Sequence, residues 1–398
     1  MKILMVSSFL PYPLVNGGNI RLYNLIKQLS KKHEITLVCE RRNFQKDSDV
    51  EEIKKYCQKV LTIRRKKQWS LVNILKTAFS LSPFLIVGHT SSLMKDKINK
   101  ELKDQQFDLI HVETFYVLQN VPRTNVPIVL AEHNIEYDVY QRYSETVNPL
   151  LKPLLSWDTA KLKRSEKKAW KKAARIICVS KEDKKIVDKG LPAPSRDLYA
   201  KERVSIVPNG VDEKTFFLTP NVLQEKRILF IGDFKWIANR ETAKWILIEI
   251  WPKIYSQSHV DVKLWIVGKE IPNSIRKLWS SNVVFDENVK DAYEIYKKSY
   301  ILLAPVRVGG GTSFKILEAM ASGVPVVTTP LGARGITDGK EIIKANNTDE
   351  FAKEVLSLLQ NKDRWEKNRK SARKFVEENY SWTKIAKKLN EVYSEILK

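Results

Sequence analysis

The sequence predicts an α/β protein made of two successive parallel sheets with crossover helices. Three observations carry this. A chain of 398 residues has room for two to three domains. A strand, helix, strand rhythm runs through its first half, and the same rhythm restarts after a polar break near residue 215. The opening Lys2-Ile-Leu-Met-Val-Ser7 reads as an apolar strand. A Pro/Gly loop follows (Pro11 to Gly18), and then Leu22, Leu25, Ile26 and Leu29 recur at helical spacing before a strand at Ile35 to Cys39. Further strands are expected at Asp108 to Val112, Pro127 to Ala131, Arg175 to Val179 and Val204 to Val207. Beyond Pro208-Asn209-Gly210 they are expected at Ile228 to Ile231, Val262 to Val267, Val283 to Phe285, Tyr300 to Leu303 and Pro325 to Thr328. Near-continuous apolar strands are what parallel sheets covered on both faces require. Past Asn346 the chain reads as helical: Asp349 to Leu359, Trp365 to Glu378, and Trp382 to Leu397. The expected domains are 1–215 and 216–381.

Composition removes several classes. Hydrophobic residues at 43% and aromatics at 10% exclude a largely disordered chain. Cys39, Cys57 and Cys178 are too few and scattered for a disulfide framework or zinc cluster, so a reducing, cytoplasmic setting is expected. Apolar runs such as Phe84 to Val87 fall far short of a bilayer span, and Pro11 and Pro13 interrupt any signal-like start. The formal net charge is +23, with 39 basic against 24 acidic side chains in residues 1–215 and 30 against 22 in the rest. Such a field attracts nucleic acid, anionic membrane or acidic substrates alike.

Three loops after expected strands can carry chemistry, because the crevice of an open parallel sheet opens there. Asn16-Gly17-Gly18-Asn19 starts a helix; Gly17 and Gly18 let a ligand approach the backbone, although taken alone a plain strand-to-helix turn is the better reading. Val129-Leu-Ala-Glu-His133-Asn134-Ile-Glu136 ends a strand in a polar cluster, where His133 is either a hydrogen-bond donor to a substrate hydroxyl or a structural histidine. Arg307-Val-Gly309-Gly310-Gly311-Thr312-Ser313-Phe314-Lys315-Ile-Leu317-Glu318 is the most informative. Thr312 or Ser313 is expected to cap a helix whose amides face a phosphate, with Arg307 and Lys315 adding positive charge. The spacing is not that of a P-loop.

These motifs, with Val207-Pro-Asn-Gly-Val-Asp212 and Gly310 to Val327, resemble in order and spacing the family-four retaining, nucleotide-sugar-dependent glycosyltransferases over nearly the whole chain. That resemblance implies a GT-B fold, two Rossmann-like domains facing a cleft, with the last helix from about Trp382 (382–398) returning to the first domain. It implies that domain 1–215 binds the acceptor, a glycan or lipid-linked sugar, and 216–381 the nucleotide sugar. It further implies that Glu318 holds the donor ribose, that His133 reaches the donor sugar, and that Gly18 lies by the diphosphate. Gly17, Gly309 to Gly311, Thr312, Ser313, Phe314 and Leu317 are expected to complete the donor site. The sequence departs from the family where the first motif glutamate would fall at Gly310, and where an Arg and a Lys usually follow the second domain's first strand; here that loop carries Lys235. Arg307 and Lys315 are the expected replacements, and together with His133 they are the expected catalytic residues.

No metal is expected. Asp47-Ser48-Asp49 spells D-x-D but opens a helix, where acids complement the dipole. The stretch Lys152 to Arg175 holds nine Lys or Arg among Leu154, Leu155, Trp157, Leu162, Ala169 and Trp170, and Arg64 to Trp69 is a second basic-aromatic run. Each reads as a solvated face or as a contact with the anionic inner leaflet. The expected function is a peripheral, cytoplasmic glycosyltransferase of surface polysaccharide or glycolipid assembly with no nucleic-acid partner. A nucleotide-sugar epimerase, an inactive sugar-nucleotide binder and, more remotely, a nucleic-acid-binding protein are the alternatives.

Overall fold

Strand β1 (Lys2–Ser7) is apolar from Ile3 to Val6 because both of its faces are covered. It pairs in parallel with β2 (Glu34–Arg41) on one side and β4 (Leu109–Glu113) on the other, after β3 (Lys59–Arg64) has added to the far side of β2. Strands β5 (Ile128–Glu132), β6 (Arg175–Cys178) and β7 (Val204–Ile206) complete a seven-stranded parallel sheet in the order β3-β2-β1-β4-β5-β6-β7. The order reverses between β1 and β4, which opens a crevice at their carboxyl ends.

The second sheet comprises β8 (Lys226–Asp233), β9 (Val262–Lys269), β10 (Val283–Asp286), β11 (Ile301–Ala304), β12 (Val326–Thr328) and β13 (Ile342–Lys344). Its order, β10-β9-β8-β11-β12-β13, is again all parallel and reverses between β8 and β11. Alternation sorts its side chains. Ile228, Phe230, Leu264, Ile266, Ile301 and Leu303 enter one core, while Leu229, Trp265, Val267, Leu302 and Ala304 enter the other. Strands β3 and β13 were not foreseen. Each lies at the end of its sheet, and β3 carries mixed burial, so it lacks the continuous apolar run that marks a central strand.

The computed structural model describes residues 1–145, 147–192, 202–218, 225–278, 280–287, 289, 291–307, 312–336 and 341–397. The chain divides into two units, Met1–Pro208 with Ile385–Lys398, and Asn209–Lys384. The segment 209–215, expected in the first domain, belongs to the second unit because its backbone is held there. The Val211 N–H donates to the Tyr380 carbonyl at 2.9 Å, and the Arg373 guanidinium donates to the carbonyls of Glu213 and Phe216. The helix Trp382–Ile396 passes from one unit to the other. Ile385, Leu389 and Tyr393, four residues apart, are fully buried, and Asn390 bonds His33 of the first unit at 2.7 Å.

Candidate functional site

The first unit gathers its polar groups at the carboxyl edge of β1, β4 and β5. Register alone sets Ser7 beside Glu113 and Glu113 beside Ala131, so Glu113 and His133 end neighbouring strands. His133 Nε2 lies 2.7 Å from Glu113 Oε2, and His111 Nε2 lies 3.7 Å from Glu113 Oε1. Tyr393 closes the chain of contacts, its hydroxyl 2.7 Å from His111 Nδ1. If that hydroxyl donates, the His111 ring proton sits on Nε2 and faces Glu113. Burial alone would raise the Glu113 carboxyl, but His133 and His111 outweigh it and hold it well below the usual range. The next residue, Thr114, has φ +76°, a conformation that costs a non-glycine residue energy and is often found at functional edges.

Gly17 and Gly18 begin the helix Gly17–Leu29, whose cap is Asn16: its side chain accepts from the Asn19 N–H at 3.1 Å. A Cβ on Gly18 would meet the Phe9 ring at 3.1 Å. That ring stands edge-on to His133, with centroids 6.4 Å apart, so Gly18 has a packing reason to be glycine beside any ligand role. Glu166 supports the segment after His133 by accepting from the N–H groups of Glu136 and Tyr137 at 2.9 and 3.0 Å.

In the second unit the helix Phe314–Ala321 starts at the β8/β11 crevice. Lys315 Nζ donates to the Ile231 carbonyl, near the end of β8, at 2.7 Å. One turn on, Glu318 Oε2 accepts from the Tyr296 hydroxyl at 2.9 Å. Burial lowers Lys315 to about 8, opposed by Glu318, and burial raises Glu318, opposed by Tyr296 and Lys315. Leu317 is fully buried and packs the helix onto its core, while Phe314 stacks obliquely on Trp382. Arg307 is exposed and lies over the Trp245 ring, 3.4 Å from its centroid.

Several expectations need correction. Ser313 occupies the cap position of the helix Phe314–Ala321 without a side-chain cap bond, so it does not make the foreseen cap, and Thr312 is buried with its carbonyl accepting from Asn209 at 3.2 Å. Gly309, Gly310 and Gly311 lie outside the described residues. Leu162, Ala169 and Trp170, expected in a basic stretch that is solvated or faces anionic lipid, belong to the core. Trp170 is there because its indole N–H donates to Glu132 at 2.8 Å. Asp47 and Asp49 hold a helix start: Asp49 accepts from the Lys46 N–H at 2.7 Å and Asp47 pairs with Arg41 at 2.6 Å. Among the described residues no group of three His, Cys, Asp or Glu side chains could hold a metal ion. No described helix is long and apolar enough to cross a membrane.

Sequence reasoning missed Glu113, His111, Tyr296 and Trp245. Glu113 carried a signal, since it follows the expected strand Asp108 to Val112, and an acid at the carboxyl edge of a parallel sheet faces its crevice. Tyr296 and Trp245 carried none, because each meets its partner through tertiary packing.

Two doubly wound parallel sheets, each with polar groups at its switch point, are the architecture of the GT-B fold. Residues 15–215 match the family described as Glycosyltransferase Family 4, and residues 225–361 that described as Glycosyl transferases group 1; the chain belongs to glycosyltransferase family 4. It is 22% identical over 403 residues to an uncharacterized 44.6 kDa protein in the cps region of Klebsiella pneumoniae, covering 96% of this chain and 97% of that one. Sucrose-phosphate synthase from Thermosynechococcus elongatus superposes with a TM-score of 0.72 at 14% identity, covering 100% and 99%. HepE from Anabaena in complex with UDP-glucose superposes with 0.66 at 13%, covering 99% and 100%.

Proposed function

We propose that this glycosyltransferase moves a sugar from a nucleoside diphosphate to an acceptor hydroxyl with retention of configuration, at an anionic membrane surface, in surface polysaccharide or glycolipid assembly. The observation that carries this reading is the Lys315–Glu318 pair, an ammonium and a carboxylate one helical turn apart at the β8/β11 crevice. Glu318, held by Tyr296 through Oε2, offers its other oxygen to the ribose hydroxyls. Lys315 and Arg307 neutralise the diphosphate, so no divalent ion is needed. The sugar C1–O bond to the diphosphate breaks, the acceptor oxygen bonds to C1 on the same face, and its proton passes to the departing diphosphate. His133 hydrogen-bonds the transferring sugar. The first unit takes the acceptor.

The relative in the cps region supports the biosynthetic setting, and the UDP-glucose in HepE supports a nucleotide-sugar donor. Incubation with a panel of nucleotide sugars, with and without membranes and in chelator, should show acceptor-dependent diphosphate release. Conversion of the donor without acceptor would instead mark an epimerase, and binding without turnover an inactive relative.

A further inference from the structure

The helix Leu71–Ala78 is turned inside out. Its buried residue is Thr77, while Leu71 and Leu75 are exposed, with Val72 and Ile74 beside them, and its flanks continue the apolar surface through Trp69, Phe79 and Leu81. Leu71 is 79% exposed and Phe79 89%. The polar side is what fastens the helix down. Ser70 caps it at Asn73 N–H, the Asn73 amide donates to the Lys67 and Gln68 carbonyls, and Lys161 Nζ donates to the Thr77 carbonyl at 2.7 Å. A monomeric protein in water gains nothing from this arrangement, which presents a contiguous apolar patch to solvent.

The segment of sequence that carries the patch has charge of one sign. From Ile53 to Lys95 the sequence holds nine Lys or Arg and no acid. Lys66, Lys67 and Lys76, all exposed, line a cavity of about 770 Å³ together with Asn73 and Phe79. A second copy of this surface would oppose like charges. An anionic bilayer offers what the patch lacks: negative headgroups for the lysines and an acyl boundary for the leucines and aromatics. The adjoining start of the helix Lys152–Lys172, where Leu151 and Leu154 are exposed, extends the surface; it is tied in by Asp158, which accepts from the Phe84 N–H at 3.0 Å.

We infer that the segment from Trp69 to Leu81 is an insertion element that seats the first unit on an anionic bilayer, with Lys66, Lys67 and Lys76 on lipid phosphates. The inference deepens the proposed membrane setting and rests on it for its purpose, but its test uses neither donor nor acceptor. The full chain should float with vesicles of phosphatidylcholine containing phosphatidylglycerol and bind pure phosphatidylcholine more weakly. Leu71→Ser, Phe79→Ser and Leu81→Ser together should raise the half-binding lipid concentration by more than about tenfold, with unchanged far-ultraviolet circular dichroism and unchanged turnover on a soluble acceptor. Lys66→Gln, Lys67→Gln and Lys76→Gln together should abolish the preference for the anionic lipid. Brominated lipid should quench wild-type fluorescence more than that of Trp69→Phe. Wild-type vesicle binding by the apolar triple variant overturns the inference. So does loss of binding in Leu154→Ser with Trp157→Ser but not in that triple, which moves the contact to the helix Lys152–Lys172. Concentration-dependent self-association that the triple variant abolishes, with no vesicle binding by the wild type, assigns the patch to a second copy and also overturns it. Failure of sugar transfer with vesicle binding intact leaves the inference standing and removes the proposed function instead.

Discussion

Glu113 Oε2 and His133 Nε2 are 2.7 Å apart at the ends of neighbouring strands, with the carboxylate buried and the imidazole partly exposed. The carboxylate therefore fixes the ring from the protein side and leaves Nδ1 as the ring nitrogen for a ligand. Glu113→Gln keeps the shape but loses the charge, and turnover should fall about tenfold or more while nucleotide affinity stays within about twofold. Glu113→Asp should recover part of the loss. Equal losses of turnover and affinity, measured by kinetics and calorimetry, would show a structural role alone.

The same pair makes a stability prediction. A carboxyl whose folded pKa lies below its unfolded value adds stability that is present above the unfolded value and lost as pH falls through the folded one. Glu113 is such a group, through His133 and His111. His133→Ala should cost about 3 kcal/mol near neutral pH, since it strips a buried charge of its partner, and should flatten the acid limb of the urea-unfolding profile. A variant with the wild-type acid limb would exclude His133 as the source.

Glu318→Ala should weaken nucleotide binding more than about tenfold, because ribose hydroxyls lose an acceptor where water is excluded. Tyr296→Phe should act more mildly in the same direction, since it frees Glu318 Oε2 without removing the carboxylate. Calorimetry with nucleoside diphosphate measures both, and unchanged affinity in Glu318→Ala would place the ribose elsewhere.

The two sheets were legible because buried parallel strands are written as continuous apolar runs, and Ile3 to Val6 or Ile301 to Leu303 can be little else. The loops of the site were legible for a related reason, since they follow those strands. Their partners were not. Trp245 reaches Arg307 and Tyr393 reaches His111 from more than sixty residues away in sequence, and no local pattern encodes such meetings. The basic helix Lys152–Lys172 shows the opposite failure. Its composition suggested a solvated or lipid-facing stretch, but Trp170 is held by Glu132 in the core, and beside its exposed Leu154 and Trp157 the larger exposed apolar face lies on Leu71–Ala78, where leucines at helical spacing look like ordinary core residues.

Metal independence should appear as turnover unchanged in excess chelator, with Lys315 and Arg307 supplying the charge that a divalent ion supplies elsewhere. Loss of turnover in chelator, restored by magnesium or manganese, would refute it.

Lys315 offers a test that separates an anion-binding role from a purely structural one. Its ammonium, lowered by burial to about 8, is roughly nine-tenths charged at pH 7 and roughly one-tenth charged at pH 9. A diphosphate binds the charged form, so above about pH 8 part of the binding energy goes into protonating the lysine, and affinity should fall about tenfold over the next one to two pH units. Lys315→Met should bind more weakly at pH 7 and show no such fall. Arg307→Ala should lower turnover by roughly two to three decades without changing the shape of the profile. Folding stability gives an independent check of the sign. Between about 8 and the unfolded lysine value the unfolded chain binds more protons, so this group makes stability rise with pH in that window, and the rise should vanish in Lys315→Met. A wild-type affinity that stays flat to pH 9.5 while the stability rise is present would mean that Lys315 keeps its bond to the Ile231 carbonyl and never meets the anion, and the diphosphate site would move toward Lys235.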